Sequence, residues 1–209
     1  MQKATIIMKT KALLFAMLVM ALAACNNGNA PKKEDDTVTV ATEQTLDDVL
    51  GTLITTDGLK HLELFKMIPD TIPGCDIVPI TKVYEEGIED IELHIIKDGE
   101  TLVVMHPAYD DETYEPSDIL GGITVMSDKF ATADNIHVGT SIQDVLKKEG
   151  VTVMFDEQNF YVIDQGIDYV LDAEDYEGEL PVVPFDIMSE VKNPTFKADA
   201  KVRQIQVYY

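Results

Sequence analysis

Few residues in this 209-residue chain have the types and spacing that chemistry needs. The histidines are His61, His94, His106 and His137. No two have the i, i+4 spacing that puts two imidazoles on one helix face around zinc, and no cysteine pair accompanies them. His94 and His106 differ from the others because Lys97-Asp98-Gly99-Glu100 lies between them. Asp-Gly between two alternating runs is a strong hairpin signal, and such a hairpin pairs positions whose numbers sum to about 197–200. That pairing brings the two rings near each other, with Glu92 or Asp110 in reach. A strand-borne metal site is one reading of the group. The simpler reading is a set of titrating surface histidines, and no metal is expected. No Gly-x-Ser-x-Gly elbow presents a nucleophile. Beyond the first 24 residues serine occurs only at Ser117, Ser127, Ser141 and Ser189, and Ser141 is explained by a helix start. Gly121-Gly122 is too short to cradle a phosphate. No catalytic residue and no cofactor or cofactor-binding residue is therefore assigned.

Acids are abundant, 38 against 16 lysines and arginines. Two clusters offer oxygen ligands: Asp110, Asp111, Glu112, Glu115 and Asp118, and then Asp172, Glu174, Asp175, Glu177 and Glu179. Calcium takes six to eight oxygens, and neither cluster fits the loop that needs glycine at its sixth position. Paired carboxylates can also hydrolyse glycosides, but among so many acids some pair always looks suitable. Tyr109 and Tyr114 flank the first cluster and could meet a sugar or a peptide, although the absence of tryptophan argues against a carbohydrate platform. The formal net charge of −22 excludes nucleic acid as a partner. Cys75, between Gly74 and Asp76, has no basic neighbour to activate it and reads as a small buried hydrophobe.

The sharpest chemistry belongs to Cys25. Lys9 and Lys11 form a basic flank, and Ala12 to Ala24 is an unbroken apolar run. The run is too short to span ~30 Å of hydrocarbon, which takes roughly 20 residues, and it fits the core of a secretory signal. Met8 is an alternative start. Leu22-Ala23-Ala24-Cys25 resembles the bacterial lipoprotein box. The resemblance implies that the Cys25 thiol receives a diacylglyceryl group, that the chain is cut before it, and that the new amino terminus is acylated. Several chains at ~0.8 kcal/mol per buried CH₂ make a stable anchor. Residues 1–24 are then a signal peptide and 25–36 a lipidated, unpatterned tether. Asn26 after the cysteine implies, by the enterobacterial rule, export to the outer membrane of a Gram-negative bacterium. Lys33-Glu34-Asp35-Asp36 resembles the surface-export tags of Bacteroidetes lipoproteins, so the domain is expected on the periplasmic face or the cell surface. The expected partners are the lipid bilayer and an unidentified envelope protein or extracellular ligand.

Residues 37–209 must position everything else, as a single domain with 37–118 and 119–209 as candidate subdomains. Thr37–Val40 alternates as a short strand. Thr45 can cap a helix bearing Leu46, Val49, Leu50 and Leu53. Over Leu59–Met67, Leu59, Leu62 and Phe65 fit a helix while Leu62 and Leu64 fit a strand, and a second helix is the expectation. Pro69, Pro73 and Pro79 make Ile68 to Pro79 a loop with at most a short edge strand. From Ile80 the pattern turns to β. Thr140 to Gly150 reads as a helix with a Thr140–Gln143 capping box, an Ile142, Val145, Leu146 stripe and a left-handed Gly150. Strands follow at Val151–Phe155, Phe160–Ile163, Ile167–Leu171 and Lys201–Tyr209, with a loop and one helical turn in Pro181–Lys192. The expected class is α+β, a mostly antiparallel sheet with two or three helices packed on one face.

Ile123-Thr124-Val125, then Asn135-Ile136-His137-Val138-Gly139-Thr140 before a helix, resembles the YfeY-like envelope lipoproteins. The likeness covers about residue 88 to the end. The same Gly-Thr-helix pattern is similar to small lipoproteins of the barrel-assembly machinery. Neither group supplies catalytic residues to carry over. The expected function is a lipid-anchored, non-catalytic binding or structural module of the envelope. The alternative is an envelope hydrolase using paired carboxylates on glycans.

Overall fold

The computed structural model describes residues 44–83, 89–183 and 188–208, all within one compact unit, Thr42–Tyr209. Cys25, the signal and tether segments, and the strand expected at Thr37–Val40 lie outside the described residues.

The described chain opens with α1 (Leu46–Val49). Thr45 caps it as expected. Its hydroxyl accepts the Asp48 N–H at 3.2 Å, and the Asp48 carboxylate accepts the Thr45 N–H at 2.9 Å. Gly51, at φ +74°, ends the helix after a single turn. Three two-residue strands follow: β1 (Leu53–Ile54), β2 (Gly58–Leu59) and β3 (Leu62–Glu63). The helix expected over Leu59–Met67 is thus a tight hairpin, with Leu59 opposite Leu62. The reason lies in the spacing. Residues i and i+3 share a helix face, and they are also neighbours across a two-residue hairpin loop. Gly58 decides the matter, because a Cβ there would meet the Leu62 carbonyl oxygen at 2.3 Å.

The long strands come next: β4 (Asp76–Val83), β5 (Glu89–Lys97), β6 (Glu100–Tyr109) and β7 (Pro116–Val125). After them come β8 (Ala131–Thr132), α2 (Ile142–Val145), β9 (Thr152–Phe155), β10 (Asn159–Asp164) and β11 (Ile167–Asp172). A 3-10 turn at Ala173–Asp175, then β12 (Ser189–Glu190) and β13 (Gln204–Tyr208), complete the described chain. Nine strands form one sheet in the order β12-β9-β10-β11-β13-β7-β6-β5-β4. Every neighbouring pair in it is antiparallel. Pro79 sits inside β4, which an edge strand tolerates because its outer side needs no ladder donor. Asp98 and Gly99, at φ +53° and +82°, make the expected two-residue turn between β5 and β6.

One face of this sheet is the core. Ile95, Val103, Val125, Ile205 and Tyr169 form a row across five adjacent strands, each of them fully buried. Leu50, Ile54, Leu59 and Leu62 join the same cluster, as do Phe130, Ile142 and Val145. The cover over the sheet is therefore short strands and turns around two four-residue helices. This corrects the expected α+β class: the fold is mostly β, without two or three packed helices.

The Thr140–Gly150 segment shows why. Its local signals favour a longer helix, but tertiary partners claim its capping groups. The Thr140 hydroxyl accepts the His137 N–H at 3.0 Å. The Ile142 N–H donates to the Ala200 carbonyl at 3.1 Å. The Gln143 amide reaches the Phe196 carbonyl at 3.4 Å instead of closing a capping box. Gly150 does take the left-handed conformation, at φ +83°. In Pro181–Lys192, residues 184–187 lie outside the described residues, and the part that follows carries the edge strand β12.

Candidate functional site

Strand alternation puts a second set of residues on the face opposite the core. One row there reads His94, Val104, Thr124, Gln206 and Asp168 across β5, β6, β7, β13 and β11. Beside it run His106, Gly122 and Tyr208. These strands enclose an open concavity of about 440 Å³, lined also by Lys82, Asp90, Glu92, Tyr109 and Gln204.

Two polar networks meet in it. In the first, His94 Nε2 donates to Glu92 Oε2 at 2.8 Å, and the Lys82 ammonium lies 3.6 Å from the same oxygen. Asp90 accepts the Tyr109 hydroxyl and, at 2.8 Å, the Ile91 N–H. In the second, His106 Nε2 shares a hydrogen bond with Thr124 Oγ1 at 2.9 Å, and that hydroxyl lies 3.2 Å from the Tyr208 hydroxyl. The His106 and Tyr208 rings are 5.2 Å apart and tilted by 47°. Burial pushes the His106 imidazole below its ordinary value, against the opposing pull of Glu92 and Asp90. Burial likewise raises the Tyr208 phenol and the Asp168 carboxyl at the end of the row.

Gly122 positions the tyrosine. A Cβ there would lie 2.1 Å from the Tyr208 ring, so the ring rests where a side chain would otherwise stand. This glycine is a seat for an aromatic ring rather than part of a phosphate loop.

The hairpin pairing of sequence positions brings Glu92, His94 and His106 into one site. It does not bring Asp110, whose carboxylate turns back to accept the N–H groups of Glu112 and Thr113 at 3.0 and 2.8 Å. Those bonds hold the Asp110 carboxyl below its ordinary value. The second acidic cluster is also spoken for in part, with Asp172 paired to Arg203. Among the described residues no three His, Cys, Asp or Glu side chains are placed to hold a metal ion. His137 Nδ1–H donates to the Val138 carbonyl at 2.8 Å, and His61 is exposed outside the concavity. Ser117 and Ser127 donate to the Ala108 carbonyl and to Glu100, both at 2.7 Å, so their hydroxyls serve the fold. Cys75 is half-buried, and burial pushes its thiol up, away from reactivity.

Six site residues escaped the search for chemistry: Lys82, Asp90, Thr124, Gln204, Gln206 and Tyr208. A signal for three of them was present. Ile205 and Val207 mark one face of the last strand, so Gln204, Gln206 and Tyr208 must share the other. No helix among the described residues is long and apolar enough to cross a membrane.

No family model matches the chain, and no curated protein matches it. Among solved structures, the chain is similar to the uncharacterized protein yfeY from Escherichia coli, at 16% identity and a TM-score of 0.40. The similarity covers 64% of this chain and 82% of that one. This neighbour is of the group that the Ile123–Thr140 segment resembles. At that identity and score the likeness carries no argument about fold or activity.

Proposed function

We propose that this chain is a lipid-anchored module of the Gram-negative outer membrane that binds a ligand on its open sheet face without transforming it. The anchor rests on Leu22-Ala23-Ala24-Cys25 at the end of the apolar run. Acylated Cys25 sits in the bilayer, and residues 25–36 tether the domain at the periplasmic face or the cell surface. The binding half rests on one observation: the carboxylates of the concavity already face donors of their own protein. Glu92 meets His94 and Lys82, and Asp90 meets the Tyr109 hydroxyl and a backbone N–H. A glycosidase pair needs one carboxyl free to protonate the leaving oxygen and a second turned to the sugar carbon or its attacking water. Here Asp90 Oδ1 and Glu92 Oε2 each meet two donors of the protein itself, contacts that fix both side chains in the sheet face and support a binding role over a catalytic one.

The anchor is tested by Cys25→Ser. Metabolic labelling with an alkyne fatty acid should mark the wild type in the outer-membrane fraction. The variant should be unlabelled and either soluble or retained as a precursor. A correctly cleaved serine variant that stays in the membrane refutes the lipidation. The binding half is tested by incubating the protein with envelope glycans and measuring reducing ends. No release is expected. Release that disappears in Glu92→Gln or Asp90→Asn makes the protein a hydrolase instead.

A further inference from the structure

The chemistry of the concavity narrows what it takes. We propose that it binds an uncharged stretch of a glycan, an assignment that rests on the binding reading above.

The charges speak first. Asp90 and Glu92 stand on one side, with Lys82 and His94 against them. An incoming cation meets the Lys82 ammonium. An incoming anion meets two carboxylates and a chain of net charge −22. Neither gains much, so an uncharged ligand fits best.

The hydrogen-bonding groups speak next. Gln204 and Gln206 are two apart on β13 and share the site face. Their side-chain amides make no hydrogen bond within the protein among the described residues. Each offers an NH₂ donor and a carbonyl acceptor, and the strand spaces them by roughly 7 Å. Hydroxyl groups, which donate and accept at once, match such a set.

The rings supply the apolar part. Tyr109 and Tyr208 are 43% and 42% exposed. Asp90 fixes the Tyr109 hydroxyl, Thr124 bonds that of Tyr208, and Gly122 seats the Tyr208 ring. Rings held in this way present flat apolar surface at little entropic loss, so in a chain without tryptophan these two tyrosines supply the surface that suits the C–H faces of a sugar. The volume of about 440 Å³ falls in the range of small-ligand clefts.

A peptide suits the site less well. Extended peptides bind by adding a strand to an open sheet edge. This site lies on a sheet face that runs from the edge strand β4 to β13, and its glutamines and tyrosines stand on the interior strands β6 and β13, whose backbone groups are already laddered to neighbours on both sides.

Full-length acylated protein, in micelles of a detergent without a sugar headgroup, is titrated with tetrasaccharides by calorimetry and NMR. The neutral probes are cello-, malto-, manno- and chitotetraose. Tetraglucosamine and tetragalacturonate are the cationic and anionic probes. At least one neutral probe should bind saturably. Gln206→Met keeps the side-chain length and should weaken that binding at least tenfold, while Gln158→Met, outside the site, should leave it unchanged. Unchanged melting of Gln206→Met shows that the loss is one of binding. Binding by the charged probes alone overturns the proposal, as does binding by none. Wild-type affinity in a Gln204→Met, Gln206→Met double variant overturns the site. Shortening of a bound neutral probe would instead overturn the non-catalytic reading and leave the ligand class standing.

Discussion

Removing the Lys148 ammonium should destabilise the domain by about 3 kcal/mol, within the range for breaking a buried ion pair. Lys148 follows α2 and pairs with both Asp134 and Asp164. The two arms differ. The side chain of Asp134 is 63% exposed, and that of Asp164 only 9%. An exposed pair contributes at most ~1 kcal/mol. A buried pair that loses one member costs ~3–5 kcal/mol, because the other charge is left without a partner. Lys148 is itself 23% exposed, so water reaches part of the gap, and the lower end applies. At roughly 2–4 °C per kcal/mol for a domain of this size, Lys148→Met should lower Tm by about 6–12 °C. Burial alone would push the ammonium down, but the two carboxylates outweigh it and hold it above the ordinary lysine value. A folded-state value above the unfolded one gives stability that is complete below the unfolded value, near 10.4, and is lost only as pH rises through the folded value. Urea unfolding should therefore give the same loss at pH 6, 7.5 and 9. Adding Asp164→Asn should recover more than half, since no charge is then stranded. A loss below about 0.5 kcal/mol, or no recovery in the double variant, would refute the reasoning.

Two further perturbations probe the site. His106 is held below its ordinary value by burial, so the unfolded chain takes up a proton first as pH falls past ~6.5. Stability should fall between pH 7 and 5.5 more steeply in the wild type than in His106→Gln, and parallel slopes would contradict the burial argument. Gly122→Ala drives a Cβ to 2.1 Å from the Tyr208 ring, which should cost about 1–3 kcal/mol and alter the near-ultraviolet dichroism of tyrosine. Tyr208→Ala should relieve most of that loss, and a variant with the wild-type spectrum would mean that the ring does not rest on Gly122.

How much of this was legible depends on the range of the interaction. The Asp98-Gly99 hairpin is local chemistry, and with it came the company of Glu92, His94 and His106. Thr45 and Gly150 act through their own backbone neighbours, and both behave as their types suggest. Leu59 and Leu62 misled because their spacing has two local solutions, and only the close approach of Gly58 to Leu62 selects the hairpin. The Thr140–Gly150 helix misled for the opposite reason. Its local signals are consistent, but Ala200 and Phe196 arrive from far along the chain and take its donors. The site has the same divide. That Gln204, Gln206 and Tyr208 share a face can be read from Ile205 and Val207. That this face lies beside Thr124 and Gly122 depends on β13 pairing with β7, which no local pattern in the chain specifies.

The same strands thus serve two surfaces, one residue apart. Met105 is buried in the core between Val104 and His106, and Ile205 between Gln204 and Gln206. A register slip of one residue would exchange the two sets, so core burial is what fixes the site geometry. The site face is itself layered. Val104 and Thr124 are each only 5% exposed and form its floor, while Gln204, Gln206, Tyr109 and Tyr208 stand higher and meet solvent. Changing the floor alters packing and the hydrogen bonds to His106 and Tyr208 together. Changing the glutamines removes side-chain amides that hold nothing among the described residues. Substitution at Gln206 can therefore report on binding without first reporting on folding.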